Sequence, residues 1–301
     1  MTYPSAILLS TFNGERFLCA MLDSLAQQLD AKSLVYWRDD GSNDATVEIV
    51  RRYCRYLDVR EIQGAVRLGP CASFLTLLRE AAPHHASFHF ADQDDVWEQR
   101  KVAHAREVVM QSKVPTLFHC RQQLIDSTGQ PLMLSRLSGV GSFQNAMCEN
   151  IVVGCTVALN QSAALLVATG TPTYTLMHDW WAYLVISAVG RIEYDSYPWI
   201  QYRQHAQNAV GGSQGALKDF YKRVKRTLRQ PSIVATRFDQ LADLLDIHGD
   251  LLTYEQRSQV ERLLAGKTSL AQRLKNCISP PATRQSWVDQ LLLRGILLTR
   301  Y

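Results

Sequence analysis

The chain has 301 residues, of which 47% are hydrophobic and 20% charged, and its formal net charge is +4. Such a length buries a substantial core, as one large domain or a domain with an appendage, and so small a net charge does not by itself indicate nucleic-acid binding. No run approaches the ~20 apolar residues of a membrane span, and seven cysteines with no CxxC pair argue against a zinc site or disulfide framework and predict a reducing, cytoplasmic setting.

The segment from Met1 to Leu9 lacks a basic n-region, and its short apolar run reads as a strand over 6–10 rather than a signal peptide. A turn follows at Phe12-Asn13-Gly14. The spacing of Phe17, Leu18, Met21, Leu22 and Leu25 predicts a helix from Glu15 to Gln28. Leu34 to Trp37 reads as a second strand, stopped by the turn-forming cluster from Arg38 to Asp44. A helix over 46–56, a short strand over 59–62, a helix over 72–82 and a strand over 87–91 come next. Alternating strands and helices predict an α/β fold with a doubly wound, mostly parallel sheet. Right-handed crossovers bring the C-terminal ends of its strands to one edge, where open α/β sheets bind ligands.

Further along, 117–120 and 123–126 read as strands with a turn at 127–129, and 151–159 as a strand interrupted by Gly154, the mark of a bulge or a close ligand approach. Helices are predicted over 162–168 and 179–189, and 202–208 is polar and turn-rich. Gly211-Gly212-Ser213 marks a boundary, so residues 1–211 form the predicted catalytic domain and 212–301 a helical extension. Helical patterns there cover 217–228, 233–247, 254–264 and 287–298.

The most informative run is Ala91-Asp92-Gln93-Asp94-Asp95-Val96-Trp97. Carboxylates do not belong inside a buried strand, so the strand ends near Ala91 and leaves the acids at the sheet edge. Clustered carboxylates repel unless neutralised, and a hard divalent cation holding substrate phosphates satisfies them economically. A solvated acidic turn is the plain alternative. Asp39 and Asp40 end the second strand, suited either to a nucleoside or to an Asx turn that caps the next helix. Asp179, between His178 and the indoles of Trp180 and Trp181, is placed as an N-cap or as a general base beside a sugar-stacking wall. Arg203 suits a pyrophosphate clamp and His205 a metal ligand, or they are a surface charge and a locally bonded imidazole. Leu217, Phe220, Tyr221, Val224 and Leu228 form a stripe among Lys and Arg residues, fit for an anionic membrane or for packing with a solvated basic face. No GxxxxGK[ST], GxSxG or early GxGxxG is present, which weighs against a P-loop nucleotidase, an α/β-hydrolase and a Rossmann dehydrogenase.

Taken in order, these motifs resemble glycosyltransferase family 2 enzymes of the GT-A type, in particular bacterial rhamnosyltransferases of lipopolysaccharide and surface-polysaccharide assembly. The resemblance covers roughly residues 5–210 and rests on Ser10-Thr11-Phe12-Asn13-Gly14, Asp39 to Asp44, the run Asp92 to Trp97, the block Asn150 to Thr156, His178 to Trp181 and Tyr202 to Asn208. It implies a single-displacement, inverting transfer from a nucleotide sugar, dTDP-L-rhamnose first, to a lipid-linked glycan at the inner face of the cytoplasmic membrane. Ser10 and Asp40, with Thr11 and Asp39 beside them, would hold base and ribose, and Asp92 would face the nucleotide sugar. Asp94 or Asp95 would hold Mg²⁺ or Mn²⁺, Asp179 would deprotonate the acceptor, and Arg203 and His205 would close over the diphosphate and metal. Trp180 and Trp181 would contact the acceptor. Ala65 and Ser73 stand near positions where that branch usually carries asparagines, which bears on base preference. A UDP-hexose donor, a nucleotide-sugar binder without transfer activity and a nucleotidylyltransferase are the competing readings.

Overall fold

The computed structural model describes residues 4–28, 33–64, 66–205 and 231–299. The 211/212 boundary, Asn208 and the basic stripe at 217–229 lie outside them. The described residues fall into two compact units. The first lies within Met1–Ser138, Val152–Thr169 and Gly190–Gly212, the second within Gly139–Ile151, Gly170–Val189 and Ser213–Tyr301.

The first unit is α/β. Its strands are β1 (Ser5–Thr11), β2 (Ser33–Asp39), β3 (Val59–Glu61), β4 (Ser87–Ala91), β5 (Val96–Trp97), β6 (Thr116–Cys120), β7 (Gln123–Ile125), β8 (Pro131–Leu134), β9 (Ala158–Asn160), β10 (Arg191–Asp195) and β11 (Ile200–Arg203). Its helices are α1 (Glu15–Ala26), α2 (Thr46–Tyr53), α3 (Gly69–Ala81), α4 (Lys101–Met110) and α6 (Gln161–Ala168). A seven-stranded sheet runs in the order β10-β6-β9-β4-β1-β2-β3, and a smaller one in the order β5-β11-β7-β8. In the large sheet β1 pairs parallel with β2 and with β4, aligning Thr11 with Asp39 and Leu9 with Ala91. That register carries the ends of β1, β2 and β4 to one edge, as their sequence predicts. β4 is buried at every residue because α3, α4 and α6 all pack on it, which explains its unbroken run in place of alternation. Burying a side chain such as Phe88 or Phe90, each 1% exposed, contributes about 1.5–3 kcal/mol.

Two predictions are corrected. Only the end of 151–159 is a strand: Gly154–Thr156 is a 3₁₀ turn, with the Thr156 N–H and hydroxyl both donating to Val153 O. After it, β9 runs antiparallel between β4 and β6. Of the stretch 202–208, Tyr202 and Arg203 are strand, since Ile200–Arg203 pairs with both β5 and β7, and 206–208 lie outside the described residues. Periodicity also left β5, β8, β10, β11 and α4 unpredicted.

The second unit is helical: α5 (Phe143–Ala146), α7 (His178–Val189), α8 (Pro231–His248), α9 (Tyr254–Ala265), α10 (Leu270–Ile278) and α11 (Trp287–Thr299). Of these, α5 and α10 escaped prediction. Helix α7 packs against α5 and α8, and α10 against α11. The Thr253 hydroxyl and Gln256 amide start α9 with a reciprocal capping box. No disulfide joins the cysteines, and among the described residues no helix is long and apolar enough to cross a membrane.

Candidate active site

At the shared sheet edge, the ends of β1 and β2 are tied together by their own side chains. Thr11, 1% exposed, accepts from Trp37 Nε1 at 2.9 Å and donates to Asp39 Oδ1 at 2.8 Å. Asp39 also accepts from the Ser42 hydroxyl and from the Gly41 and Ser42 amides, the Asx-turn arrangement. Gly41 meets that turn at φ +90°, a region L side chains seldom enter. Ser10 donates to Ser73 Oγ at 2.8 Å.

Asp40, 4% exposed, pairs with Arg38 Nη1 at 2.6 Å and accepts from the Leu68 and Gly69 amides at 2.7 Å each. Burial alone raises a carboxyl pKa, yet Arg38 and these two amides outweigh it and hold Asp40 below the usual carboxylate value. Beside it lies a recess of about 350 Å³ lined by Phe12, Asp40, Gly41, Asn43, Gly64, Val66 and Arg67. The Arg67 guanidinium covers the Phe12 ring at 3.8 Å. Thus Asp39, Asp40 and Thr11 are committed to internal bonds, and Asp40 also reaches the recess wall.

Gln93 bridges this region to the acidic loop. Its amide oxygen accepts from Phe12 N–H at 2.9 Å and its amide nitrogen donates to Phe12 O at 3.0 Å, imitating a strand pairing. A Cβ on Gly14 would sit 2.3 Å from Gln93 Oε1, so this approach requires glycine.

The acids themselves differ in setting. Asp94 Oδ2 lies 2.6 Å from His205 Nε2, a pair that is partly exposed. Asp95 is 0% exposed. Its Oδ1 accepts from the Arg203 amide at 2.9 Å, and its Oδ2 is buried without a hydrogen-bond partner. Oxygens of Asp92 and Asp95 and Cys155 Sγ lie within 4.8 Å of one another. Burial, and then the charges of Asp94 and Asp92, push the Asp95 pKa well up. Burial and Asp95 do the same to Cys155, which therefore stays a thiol. Lys101, 1% exposed, lies under the cluster with Nζ 3.4 Å from the Trp97 ring centre. Burial lowers its pKa to about 8 against the pull of nearby thiols and acids. An orphaned carboxylate oxygen with a second acid beside it suits a hard divalent cation. Among the described residues the potential ligand atoms that come together are those of Asp92, Asp95 and Cys155, while Asp94 and His205 pair with each other.

Arg203, 5% exposed, does not present its guanidinium as a phosphate clamp would. Nε donates to Asp94 O at 2.8 Å and Nη1 to Asp126 O at 3.2 Å, and the group lies 4.8 Å from the Phe17 ring. Arg203 ties the acidic loop to the turn after β7.

In the second unit Asp179 lies in the first turn of α7 and is 3% exposed. Its Oδ1 accepts from the Trp180 amide at 2.7 Å and from Asn150 Nδ2 at 3.1 Å, and the helix N-terminus favours its negative charge. The indoles are core residues. Trp180, 7% exposed, donates Nε1–H to Ala146 O at 2.7 Å, and Trp181, 0% exposed, lies 5.9 Å from the His248 ring. An acceptor-stacking wall needs an open ring face, so that expectation is corrected for both. Lys101 was not singled out by sequence, whereas Gln93 lay inside the acidic run and Asn150 and Cys155 inside the block Asn150 to Thr156, none of the three with a role of its own.

Residues 6–114 match the family model described as glycosyl transferase family 2. With the sheet-edge site, this defines the class of that segment: residues 6–114 carry a family 2 glycosyltransferase domain, and the fold is that of GT-A glycosyltransferases. Among curated proteins it is 23% identical over 227 residues, 72% of this chain and 78% of the other, to the dTDP-rhamnosyl transferase RfbG of Shigella flexneri. Among solved structures it is similar to S. aureus TarS 1–349 in complex with UDP (TM-score 0.59, 14% identity, 99% of this chain and 80% of that one). It is also similar to the mannosyltransferase PcManGT from Pyrobaculum calidifontis in complex with GDP-Man and Mn²⁺ (TM-score 0.51, 16% identity, 99% and 86%).

Proposed function

We propose that this glycosyltransferase moves L-rhamnose from dTDP-L-rhamnose to a hydroxyl of a lipid-linked glycan, such as lipopolysaccharide core, with inversion and with a bound Mg²⁺ or Mn²⁺. The observation that carries the metal-dependent part is the convergence of donor atoms of Asp92, Asp95 and Cys155 within 4.8 Å of one another, with one Asp95 oxygen buried without a hydrogen-bond partner. The rhamnosyl assignment is supported by the likeness to RfbG and by the Asp92-Gln93-Asp94-Asp95-Val96-Trp97 run.

In this reading the recess beside Phe12 and Arg67 takes the base, and Asp40 acts from its wall. Ser10 borders the nucleoside, while Thr11 and Asp39 keep the two strand ends in place. Asp94, Asp95 and His205 are the metal ligands, with Asp92 toward the donor. When bound, the cation supplies Lewis-acid stabilisation of the departing diphosphate. Arg203 acts by holding Asp94 and Asp95 in position. Asp179 takes the proton of the attacking acceptor hydroxyl, its carboxyl group oriented by Asn150. The protein works on the cytoplasmic side, where nucleotide sugars are the donor pool in this scheme.

A UDP-sugar donor is the second reading, favoured by the fold shared with UDP-bound TarS. Thermal shift with Mn²⁺ and dTDP, UDP or GDP separates the two, because a ligand that binds only the folded state raises its stability. The proposal expects dTDP to give the largest shift and donor turnover to stop in EDTA. A preference for UDP replaces the donor assignment. Absence of turnover in every condition reduces the chain to a nucleotide-sugar binder.

A further inference from the structure

Phe17 stands apart from the other apolar residues of α1. Leu18, Met21, Leu22 and Leu25 are buried, whereas Phe17 is half-buried. Its amide donates to Gly14 O at 3.1 Å, so it lies in the first turn after the glycine against which Gln93 rests. Gln93 also binds both backbone atoms of Phe12. The start of α1 is thereby pinned to the acidic loop, and it delivers the Phe17 ring beside that loop.

Two groups rest on this ring, and both also hold Asp94. The His205 imidazole has its centroid 5.0 Å from that of Phe17, with the planes tilted by 31°. The Arg203 guanidinium carbon lies 4.8 Å from the same centroid. These separations are those at which aromatic pairs and cation–π contacts attract. His205 Nε2 reaches Asp94 Oδ2 at 2.6 Å, and Arg203 Nε donates to Asp94 O at 2.8 Å. One ring therefore backs the contact to the Asp94 carboxylate and the contact to its backbone.

A single hydrogen bond fixes one point of an imidazole and leaves the ring free to pivot about it. An aromatic ring packed against the imidazole removes that freedom, as supporting residues around a metal site do for its histidines. A leucine of similar reach fills the space but offers no π face to either group. We infer that Phe17 is a positioning residue, which holds the His205 imidazole in place beside Asp94. The inference rests on the reading of His205 as a metal ligand, and it assigns Phe17 no contact with the cation itself.

The test is calorimetry of Mn²⁺ binding to the full chain. Wild type is compared with Phe17→Leu, Phe17→Tyr, His205→Ala and the double variant Phe17→Leu/His205→Ala, thermal melting reporting that each is folded. Phe17→Leu is expected to raise the Mn²⁺ Kd roughly tenfold. Phe17→Tyr keeps the ring and is expected to stay within about twofold of wild type. In the His205→Ala background, Phe17→Leu is expected to add less than about twofold, because substitutions acting through one contact do not add. A role in the fold alone would lower the melting temperature without this coupling. The inference is overturned if His205→Ala weakens Mn²⁺ binding and Phe17→Leu does not. It is equally overturned if the two losses multiply in full, or if Phe17→Tyr loses as much as Phe17→Leu. Mn²⁺ binding unchanged in His205→Ala would remove the ligand reading of His205 itself, and the inference with it.

Discussion

Asn150 Nδ2 donates to Asp179 Oδ1 at 3.1 Å, and the Trp180 amide reaches the same oxygen at 2.7 Å. Two donors on one oxygen fix the rotation of the carboxyl group at the start of α7. Asp179→Asn is therefore expected to lower kcat by roughly 10²–10⁴ with melting unchanged. Asn150→Ala removes a bond to a charged group, about 1.5–3 kcal/mol, and is expected to cost roughly 10- to 100-fold in kcat at constant donor KM. Steady-state transfer assays read both, and full activity of Asp179→Asn would remove the proposed base.

The acids of the 92–95 loop are expected to separate by experiment. Asp94→Asn and His205→Ala should each weaken Mn²⁺ binding, measured by calorimetry on the purified chain. Asp95→Asn keeps the shape of a side chain that is fully buried with an unpartnered Oδ2 but removes its charge. It should raise the melting temperature of the metal-free protein, since uncompensated buried charge is costly. A lower melting temperature for Asp95→Asn would show that its charge is compensated.

Arg203→Lys keeps the charge and loses the planar fork that spans Asp94 O and Asp126 O. Urea unfolding is expected to show a loss of about 1–3 kcal/mol, the range for leaving buried acceptors unsatisfied. Mn²⁺ affinity should fall with it, although Arg203 is not proposed as a ligand. Unchanged stability would mean that the tie is dispensable.

Acid should destabilise the fold from pH 6.5 downward. Burial lowers the pKa of His119 to about 4 and of His178 to about 3, both from an ordinary 6.5. Between each folded value and 6.5 the unfolded chain binds a proton that the folded chain refuses. Their stability is therefore fully present above pH 6.5 and is lost as pH falls toward 4 and 3. Each histidine contributes a slope of about 1.4 kcal/mol per pH unit. Urea midpoints at pH 7.5, 6.5 and 5.5 read this slope, and His119→Leu should reduce it.

The parallel half of the sheet was legible because both of its faces are covered, which writes its strands as apolar runs such as 87–91. Helix α4 was hidden because its buried residues are Lys101, Val102, Ala103, Ala105 and Val109, a set that includes a cation and small residues and gives no amphipathic stripe. The run at 151–159 looks like a strand because the β-branched Ile151, Val152, Val153 and Val157 flank the 3₁₀ turn at Gly154–Thr156. The acidic cluster stood out since carboxylates after an apolar strand conflict with burial. Sequence does not show which way a side chain faces, so Arg203 reads as a clamp and Trp181 as a wall when one grips backbone carbonyls and the other fills a core.

Gln93 holds Phe12 by both its amide atoms, and Phe12 lines the recess at the ends of β1 and β2. The residues on either side of Gln93 are Asp92 and Asp94. The two loops therefore behave as the jaws of one caliper with a fixed opening. If the recess takes the base and the acids the diphosphate, as proposed, a ligand spanning them is gauged by the distance between those two parts, and a shift of the first loop would misplace both together.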